Sequence, residues 1–250
     1  MKVRAEAGAE GVFRLTLCGP RANALEPGIL REFHAGLDAL DASGAERAVI
    51  AGGRNFCSGG DVAAFFRAAN PEAHADAVVP LLQDALRRMV EMPVIFCIAA
   101  RGAITGGGAG LLFAGDLAVL APDAFVQPYY AQVGFAPDGG WTALLPERIG
   151  AGAAQDWLMS DARASARELV QAGLAREVQD APEDRAAEML AGMRIAPALA
   201  AKRLIWDGAR LAALTARLEA ETRAFRTLIG RPETREGMAR FLGEGARTDA

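Results

Sequence analysis

The sequence predicts an α/β fold followed by a helical C-terminal region, and three observations support this prediction. Short apolar segments alternate with segments of helical periodicity up to about Gly150. Two glycine-rich segments each follow one of the apolar segments, and the chain beyond Gly150 has an almost wholly helical pattern. The 250 residues are enough for one large domain, or for one domain with a helical appendage.

Strands and helices can be assigned in order along the chain. Alternating or continuous apolar runs predict strands at residues 12–17, 48–51, 94–99, 117–121 and 125–127. Apolar residues at helical spacing predict helices at residues 27–40, 62–69, 75–91 and 109–114, and a long amphipathic helix at 198–228. The segment Pro-Asp-Gly-Gly, residues 137–140, is predicted to open a helix that continues through Leu145.

Composition and charge exclude several classes of protein. A net charge of −4 argues against a general nucleic-acid-binding protein, which would carry a basic excess. The longest clean apolar run, residues 94–100, is too short to cross a membrane, and residues 1–10 lack the apolar segment of a secretory signal. We therefore expect a cytoplasmic, soluble protein with no nucleic-acid partner and no membrane partner.

The cysteines and histidines give no sign of a metal site. Cys18, Cys57 and Cys97 are widely separated, a distribution that is typical of free thiols in a reducing compartment. His34 and His74 have no second ligand at metal-binding spacing. We expect Cys57 to be small core filler rather than a reactive thiol.

Two glycine-rich segments are the first candidates for chemistry. The first glycine loop, residues 56–61, reads Phe-Cys-Ser-Gly-Gly-Asp, and the second, residues 102–108, reads Gly-Ala-Ile-Thr-Gly-Gly-Gly. Glycine lets backbone approach a ligand closely, and the second loop opens a helix whose first N–H groups lack helical partners. One N–H group from each loop would form an oxyanion hole. The alternative is that these glycines serve only tight turns and close helix packing.

Neither loop matches a nucleotide-binding motif. A Walker loop requires a lysine after its glycines, and no lysine lies near either segment. A dinucleotide fingerprint requires a third glycine where this sequence has Leu111. A nicotinamide-dependent oxidoreductase is therefore a distant alternative.

An ordered set of motifs resembles the crotonase superfamily, the enoyl-CoA hydratase/isomerase family, over nearly the whole chain. The set comprises Arg-Ala-Asn-Ala-Leu at residues 21–25, the two glycine loops, Pro-Asp-Gly-Gly at 137–140 and Glu-Gly-Met at 236–238 with Phe-Leu at 241–242. The pattern is closest to 1,2-epoxyphenylacetyl-CoA isomerase-like members. Each motif is modest alone, and the specificity of the resemblance comes from their order.

The resemblance implies a fold, a substrate and an assembly. The family fold is a spiral of ββα units, here residues 1–195, with a helical C-terminal trimerisation region, here residues 196–250. The implied partner is an acyl-CoA substrate, and the implied assembly is a homotrimer or a hexamer. No metal or redox cofactor is implied, because CoA enters as part of the substrate.

The resemblance also assigns residues to roles. The N–H groups of Gly60 and Gly107 would form the oxyanion hole. The residues implied to bind substrate and CoA are Ala22, Ala24, Leu25, Ser58, Asp61, Tyr129, Tyr130 and Phe241, and Phe241 often closes over CoA in a neighbouring subunit. We expect Asp61 to stabilise the first loop rather than to do chemistry. Glu244 stands where family members carry a lysine, and Arg247 is the candidate replacement for phosphate contacts.

The sequence departs from true hydratases at both catalytic carboxylates. Gly110 stands where hydratases carry one glutamate, and the other falls on Tyr129 or Tyr130, depending on the register. Asp138 is the carboxylate that remains in the right neighbourhood, and we interpret it as the acid–base group. Alternatively, Asp138 only caps the predicted helix through hydrogen bonds to its first N–H groups.

The expected function is an acyl-CoA isomerase that shifts a double bond through an oxyanion-stabilised enolate, with Asp138 as the proton shuttle. A second hypothesis is thioester hydrolysis or dehalogenation that uses Asp138 as nucleophile or base. A third is a CoA-binding scaffold that has lost activity together with both glutamates. These hypotheses stay open at the level of sequence.

Overall fold

A six-stranded sheet lies at the centre of the computed structural model, which describes residues 1–244. Its strand order is β1-β2-β3-β4-β6-β9, with β1 antiparallel to β2 and the other neighbours parallel. A three-stranded sheet has the order β5-β7-β8. The strands are β1 Val3–Ala7, β2 Val12–Leu17, β3 Arg47–Ala51, β4 Ile95–Ala100, β5 Ala103–Thr105, β6 Leu117–Leu120, β7 Phe125–Gln127, β8 Ala164–Ser165 and β9 Glu177–Val178.

Helices cover both faces of the large sheet and form the C-terminal part of the chain. They are α1 Pro20–Asn23, α2 Pro27–Ser43, α3 Val62–Arg67, α4 Pro71–Glu91, α5 Ala109–Ala114, α6 Tyr130–Val133, α7 Leu145–Ile149, α8 Ala151–Ser160, α9 Ala166–Gln171, α10 Pro182–Ala191, α11 Ile195–Ile205, α12 Gly208–Ile229 and α13 Pro232–Leu242. Short 3-10 turns occupy Ala9–Gly11 and Gly106–Gly108. The predicted α/β class with a helical C-terminal region is confirmed.

Strand β4 shows why the sheet is covered on both faces. All six of its residues are buried, and successive side chains of a strand point to opposite faces. Phe96 and Ile98 join the large core formed with helices α2 and α4, whereas Ile95 and Cys97 join a smaller core with α10. A parallel strand buried on both faces reads as a continuous apolar run, which is the pattern that predicted it.

The sequence pattern missed four strands, β1, β5, β8 and β9, of which the longest is β1 at the edge of the large sheet. Only Val3 of its five residues is buried, and Arg4 and Glu6 are exposed. Backbone pairing with β2, rather than burial of side chains, therefore defines this strand. An edge strand with charged exposed residues has no apolar signal to detect.

Two of the predicted helices were wrong in their bounds. No helix begins at residues 137–140: residues 139–144 form consecutive turns, and helix α7 begins at Leu145. Residues 137–144 are named here the PDGG turn. The long helix expected at 198–228 is two helices, because Asp207 caps α12 by accepting a hydrogen bond from Arg210 N at 2.9 Å. In both places local turn and cap geometry overrides the apolar periodicity.

The C-terminal helices fold back over the chain's own core. Helix α12 packs along α4, and α13 packs against α3 and α6. Lys202 on α11 is buried, and its Nζ donates to Met89 O, Val94 O and Asp116 Oδ2 at 2.7–2.9 Å. The expected division at residue 195 and the expected homotrimer or hexamer remain predictions.

Two further features concern membranes and thiols. Across residues 1–244, no helix combines the length and the apolar content needed to cross a bilayer. Cys57 and Cys97 are buried free thiols, and burial raises the pKa of each to about 12. Cys57 is therefore an inert core residue, as its sequence context predicts.

The Lys202 contacts predict a large stability effect. Lys202→Met would remove the cation that binds two carbonyl oxygens and the half-buried Asp116 carboxylate. Asp116 would keep one hydrogen bond, from Phe96 N. We expect the free energy of unfolding to fall by about 3 kcal/mol, the low end for a broken buried pair. Urea unfolding measures this change. The exposed Arg203→Met is the control, and equal urea midpoints for the two variants would contradict the expectation.

Candidate active site

The two glycine loops line one cavity of about 420 Å³. Gly60 from the first loop and Gly107 from the second are both among its lining residues, as is Asp138 from the PDGG turn. The oxyanion-hole hypothesis requires that the two glycines face a common space, and this requirement is met. The catalytic role of their N–H groups remains a prediction.

Backbone hydrogen bonds hold the two loops side by side. Cys57 N donates to Ala103 O at 3.0 Å, and Thr105 N donates to Cys57 O at 3.0 Å. No backbone or side-chain oxygen of residues 1–244 accepts a hydrogen bond from Gly60 N–H. Gly107 lies in the 3-10 turn that leads into α5, where the first N–H groups lack helical partners. Both N–H groups are therefore available as donors.

A strained turn at residues 21–23 supports the first loop. Arg21, Ala22 and Asn23 all have positive φ, between 50° and 59°, a region that costs most residues energy. The buried Asn23 side chain holds the turn: its Oδ1 accepts from Gly19 N at 2.7 Å and its Nδ2 donates to Phe56 O at 3.0 Å. Sequence reasoning missed this role, although Asn23 stands inside the quoted Arg-Ala-Asn-Ala-Leu motif.

Of the residues expected to bind the CoA part, three line the cavity and one supports the first glycine loop. Ala24, Leu25 and Ser58 line the cavity. Ala22 is not among the lining residues, and its carbonyl oxygen instead accepts a hydrogen bond from Ser58 N at 2.9 Å. The structure therefore makes Ala22 a support of the first loop.

Asp61 holds the other end of the first loop. Its Oδ1 accepts from Ala64 N at 3.2 Å and so caps α3, while its Oδ2 pairs with Arg21 at 2.7 Å. Asp61 also borders the cavity. These contacts stabilise the loop, which is the role expected of Asp61.

Asp138 and Tyr130 form a buried pair on the wall of the cavity. Asp138 is 8% exposed and Tyr130 is 5% exposed. The Tyr130 hydroxyl donates to Asp138 Oδ1 at 2.6 Å. Burial raises the pKa of Asp138 to about 6, although the hydrogen bond from Tyr130 acts in the opposite direction. Because no helix begins at Asp138, the structure contradicts the alternative that this residue is only a helix cap.

The two tyrosines have different positions on the cavity wall. Both line it, but only the Tyr130 hydroxyl contacts Asp138. Tyr129 has a φ of 62°, and its N–H donates to Asp161 Oδ1 at 2.6 Å. Its ring meets the ring of Phe241 edge to face at 5.7 Å. Phe241 thus lines the cavity of its own chain.

Close backbone packing explains why Gly110 replaces the hydratase glutamate. A Cβ atom on Gly110 would overlap Gly139 O in the PDGG turn. Gly139 has a φ of 62°, and a Cβ there would lie 2.6 Å from Gly107 Cα. A glutamate at position 110 would therefore require the PDGG turn, and Asp138 with it, to move away.

Aromatic residues from three elements form the apolar wall of the cavity. The rings of Phe65, Phe135 and Phe225 lie 5.0–5.7 Å apart, centroid to centroid. Leu82 from α4 lies beside Gly107 on the same wall. These apolar side chains line the same cavity as Asp138.

Glu221 is a buried carboxylate that sequence reasoning missed. It is 3% exposed on α12, and its oxygens accept hydrogen bonds from Gly140 N, Thr142 N, Thr142 Oγ1 and Ala143 N at 2.7–3.1 Å. Burial raises its pKa to about 7. Glu221 lies in the apolar stripe of α12 between Leu218 and Phe225, and a charged residue in such a stripe was the available signal.

Of the two residues considered for phosphate contacts, Glu244 lies within the described residues. Glu244 pairs with Arg67 at 3.4 Å, so its carboxylate faces a cation rather than the cavity. Arg247 lies outside the described residues. Within residues 1–244, no group of three His, Cys, Asp or Glu side chains is placed to hold a metal ion.

Known proteins resemble this chain over nearly its full length. Residues 7–247 match the family model described as enoyl-CoA hydratase/isomerase. The chain is 30% identical over 242 residues to an ethylmalonyl-CoA decarboxylase of Danio rerio, covering 92% of this chain and 80% of that protein. It is 31% identical over 248 residues to a probable enoyl-CoA hydratase of Rhodobacter capsulatus, covering 94% of this chain and 92% of that protein.

A solved structure shows the same fold. The crystal structure of enoyl-CoA hydratase from Bacillus halodurans aligns with a TM-score of 0.87 at 19% identity, covering 96% of this chain and 100% of that one. At this level of identity the likeness concerns the fold alone, and it confirms the fold that the motifs predict.

The Tyr130–Asp138 contact predicts a pKa change. Tyr130→Phe removes the hydroxyl that lowers the pKa of Asp138, so this pKa should rise above its present value of about 6. NMR titration of ¹³C-labelled carboxyl groups measures the change. Tyr129→Phe serves as the control, and an equal Asp138 pKa in the two variants would show that the hydrogen bond is unimportant.

Proposed function

The chain belongs to the enoyl-CoA hydratase/isomerase family of the crotonase superfamily, and we propose that within it the protein is an acyl-CoA isomerase. It would shift a double bond in an unsaturated acyl-CoA, with Asp138 as the proton shuttle. The proposal follows the motif pattern of 1,2-epoxyphenylacetyl-CoA isomerase-like members.

One observation carries this proposal: Asp138 shares a cavity with the two glycine N–H groups. A Cβ atom on Gly107 would lie 3.2 Å from Asp138 Oδ1, so the carboxylate borders the proposed oxyanion hole directly. A thioester whose oxygen contacts Gly60 and Gly107 would present its adjacent carbons to Asp138. Acid–base catalysis requires this kind of proximity.

The reaction needs one carboxylate and two N–H donors. The Asp138 carboxylate takes a proton from the α or the γ carbon of the substrate, and the electron pair of that C–H bond forms a dienolate. The N–H groups of Gly60 and Gly107 stabilise the negative oxygen. Return of the proton to the other carbon moves the double bond and regenerates the carboxylate. The proposal includes no metal or redox cofactor, because CoA arrives as part of the substrate.

Hydration is a weaker proposal for this site. Addition of water to an enoyl-CoA needs a carboxylate to activate the water, and the hydratase positions hold Gly110 and a tyrosine. The buried Tyr130 hydroxyl has a pKa raised well above its usual value by its surroundings, so it is a poor base.

Decarboxylation is a second candidate, favoured by the similarity to the Danio rerio protein named as an ethylmalonyl-CoA decarboxylase. In that reaction the C–C bond to a substrate carboxylate breaks, CO2 leaves, and the same two N–H groups hold the resulting enolate. Protonated Asp138 would then donate a proton to the α carbon. The two candidates thus require opposite protonation states of Asp138.

The binding of CoA, self-association and location are also proposals. We propose that Ala24, Leu25 and Ser58 contact the CoA part of the substrate, with Phe241 closing over it. A homotrimer or hexamer in the cytoplasm would follow the pattern of the family.

The pH dependence of turnover should separate isomerisation from decarboxylation. An isomerase needs the Asp138 carboxylate, so kcat/KM with a 3-enoyl-CoA should rise with pH through about 6 and then level off. A decarboxylase that uses protonated Asp138 should instead lose kcat/KM as pH rises through the same range. Product analysis over enoyl-, malonyl- and aryl-CoA substrates identifies the reaction. Hydrolysis, dehalogenation, or binding without turnover would contradict the isomerase proposal.

Replacement of Asp138 tests its role directly. Asp138→Asn keeps an acceptor for the Tyr130 hydroxyl, so the fold and acyl-CoA affinity should remain close to those of the original protein. We expect kcat to fall about 10³-fold, within the usual range for a lost acid–base group. The exposed Asp123→Asn is the matched control. Normal turnover by Asp138→Asn would remove the assignment.

A further inference from the structure

We propose that Glu221, on the C-terminal helix α12, is the positioning residue that holds the PDGG turn and so sets the place of Asp138 in the active site. The proposal rests on the proposed function for its catalytic consequence. Its structural part, the clamp that the Glu221 carboxylate places on the turn, stands on hydrogen bonds alone.

The clamp satisfies backbone groups that the turn itself leaves without partners. Residues 138–144 form no regular helix, and Gly140 N, Thr142 N and Ala143 N all donate to the Glu221 carboxylate. The Thr142 hydroxyl adds a fourth hydrogen bond at 2.7 Å. A buried N–H group without an acceptor is costly, so these donors need Glu221 for the turn to keep its shape.

The held turn is the element that joins the proposed acid–base group to the second glycine loop. Asp138 lies two residues before Gly140, the first residue that Glu221 contacts. Between them, Gly139 packs against the Gly107 backbone. Trp141, which follows Gly140, donates from its Nε1 to Gly106 O at 2.8 Å. A shift of the turn would therefore move Asp138 relative to Gly107.

Glu221 acts through the turn and does not contact the substrate. It is not among the residues that line the cavity, and all four of its hydrogen bonds go to the turn. No lysine, arginine or histidine among residues 1–244 forms an ion pair with it. The titratable groups that face Glu221 are Asp138 and Tyr130, and those that face Asp138 are Glu221 and Tyr130. The charge of Asp138 adds to burial in raising the pKa of Glu221.

The test is Glu221→Gln, which replaces one acceptor oxygen by an amide group of the same size. Since Oε2 accepts from Gly140 N and Oε1 accepts the other three bonds, the variant must lose at least one partner of the turn. We expect kcat to fall about 10- to 100-fold, the scale of a misplaced catalytic group, while KM changes less than about threefold. The acid limb of the kcat/KM profile should stay near pH 6, because the raised pKa of Glu221, about 7, leaves this group largely uncharged where Asp138 titrates.

The control lies two residues away on the same helix. Glu219→Gln alters an exposed carboxylate that pairs only with Arg223, so kcat, KM and the pH profile should stay unchanged. Thr142→Val removes a single hydrogen bond and should lower kcat about twofold to tenfold. This milder variant decides the matter if Glu221→Gln does not fold.

Amide hydrogen exchange separates failure of this inference from failure of the proposed function. In Glu221→Gln, the amides of the PDGG turn at Gly140, Thr142 or Ala143 should exchange faster, whether or not the enzyme turns over a tested substrate. Unchanged exchange in the turn, or an unchanged kcat in an active variant, would overturn the role of Glu221. Loss of turnover in Asp138→Asn would stand independently of either result.

Discussion

The proposed chemistry depends on one close backbone contact, between Gly139 of the PDGG turn and Gly107 of the second glycine loop. A Cβ atom on Gly139 would lie 2.6 Å from Gly107 Cα, so the two backbones meet without room for a side chain. Because Asp138 precedes Gly139, this contact fixes the separation between the carboxylate and a proposed oxyanion donor. The same contact region excludes a side chain at Gly110. The site can therefore hold a carboxylate on the PDGG turn or a carboxylate on α5, but not both. This chain has the carboxylate on the turn.

Both buried carboxylates of the site are held by hydrogen-bond donors rather than by cations. Tyr130 donates to Asp138, and three backbone N–H groups and one hydroxyl donate to Glu221. An arginine or lysine partner would hold the pKa of Asp138 low and make it a weak base. With apolar walls and a neutral hydroxyl instead, its pKa is raised to about 6, where a carboxyl group can both take and return a proton near neutral pH.

The sequence predicted what contiguous motifs encode and missed what distant contacts create. The five predicted strands, the glycine loops and the location of Asp138 all follow from local patterns of apolar residues and glycines. Glu221 could not be assigned from a motif, because its partner Gly140 is 81 residues away in the chain. The helix expected after Pro137 fails for a local reason: Gly139 and Gly140 both have positive φ, so the chain turns there instead of starting a helix.

The position of Glu221 also indicates a structural role for the C-terminal helices. Phe225 lies one helical turn after Glu221 on α12, and it forms part of the cavity wall while Glu221 holds the PDGG turn. One helix therefore lines the cavity and supports the proposed acid–base residue. A C-terminal region that served self-association alone would gain nothing from burying a carboxylate against the turn, since burial of an unpaired charge is unfavourable. The C-terminal helices thus contribute Phe225 and Glu221 to the candidate active site, in addition to the Phe241 that the resemblance predicts.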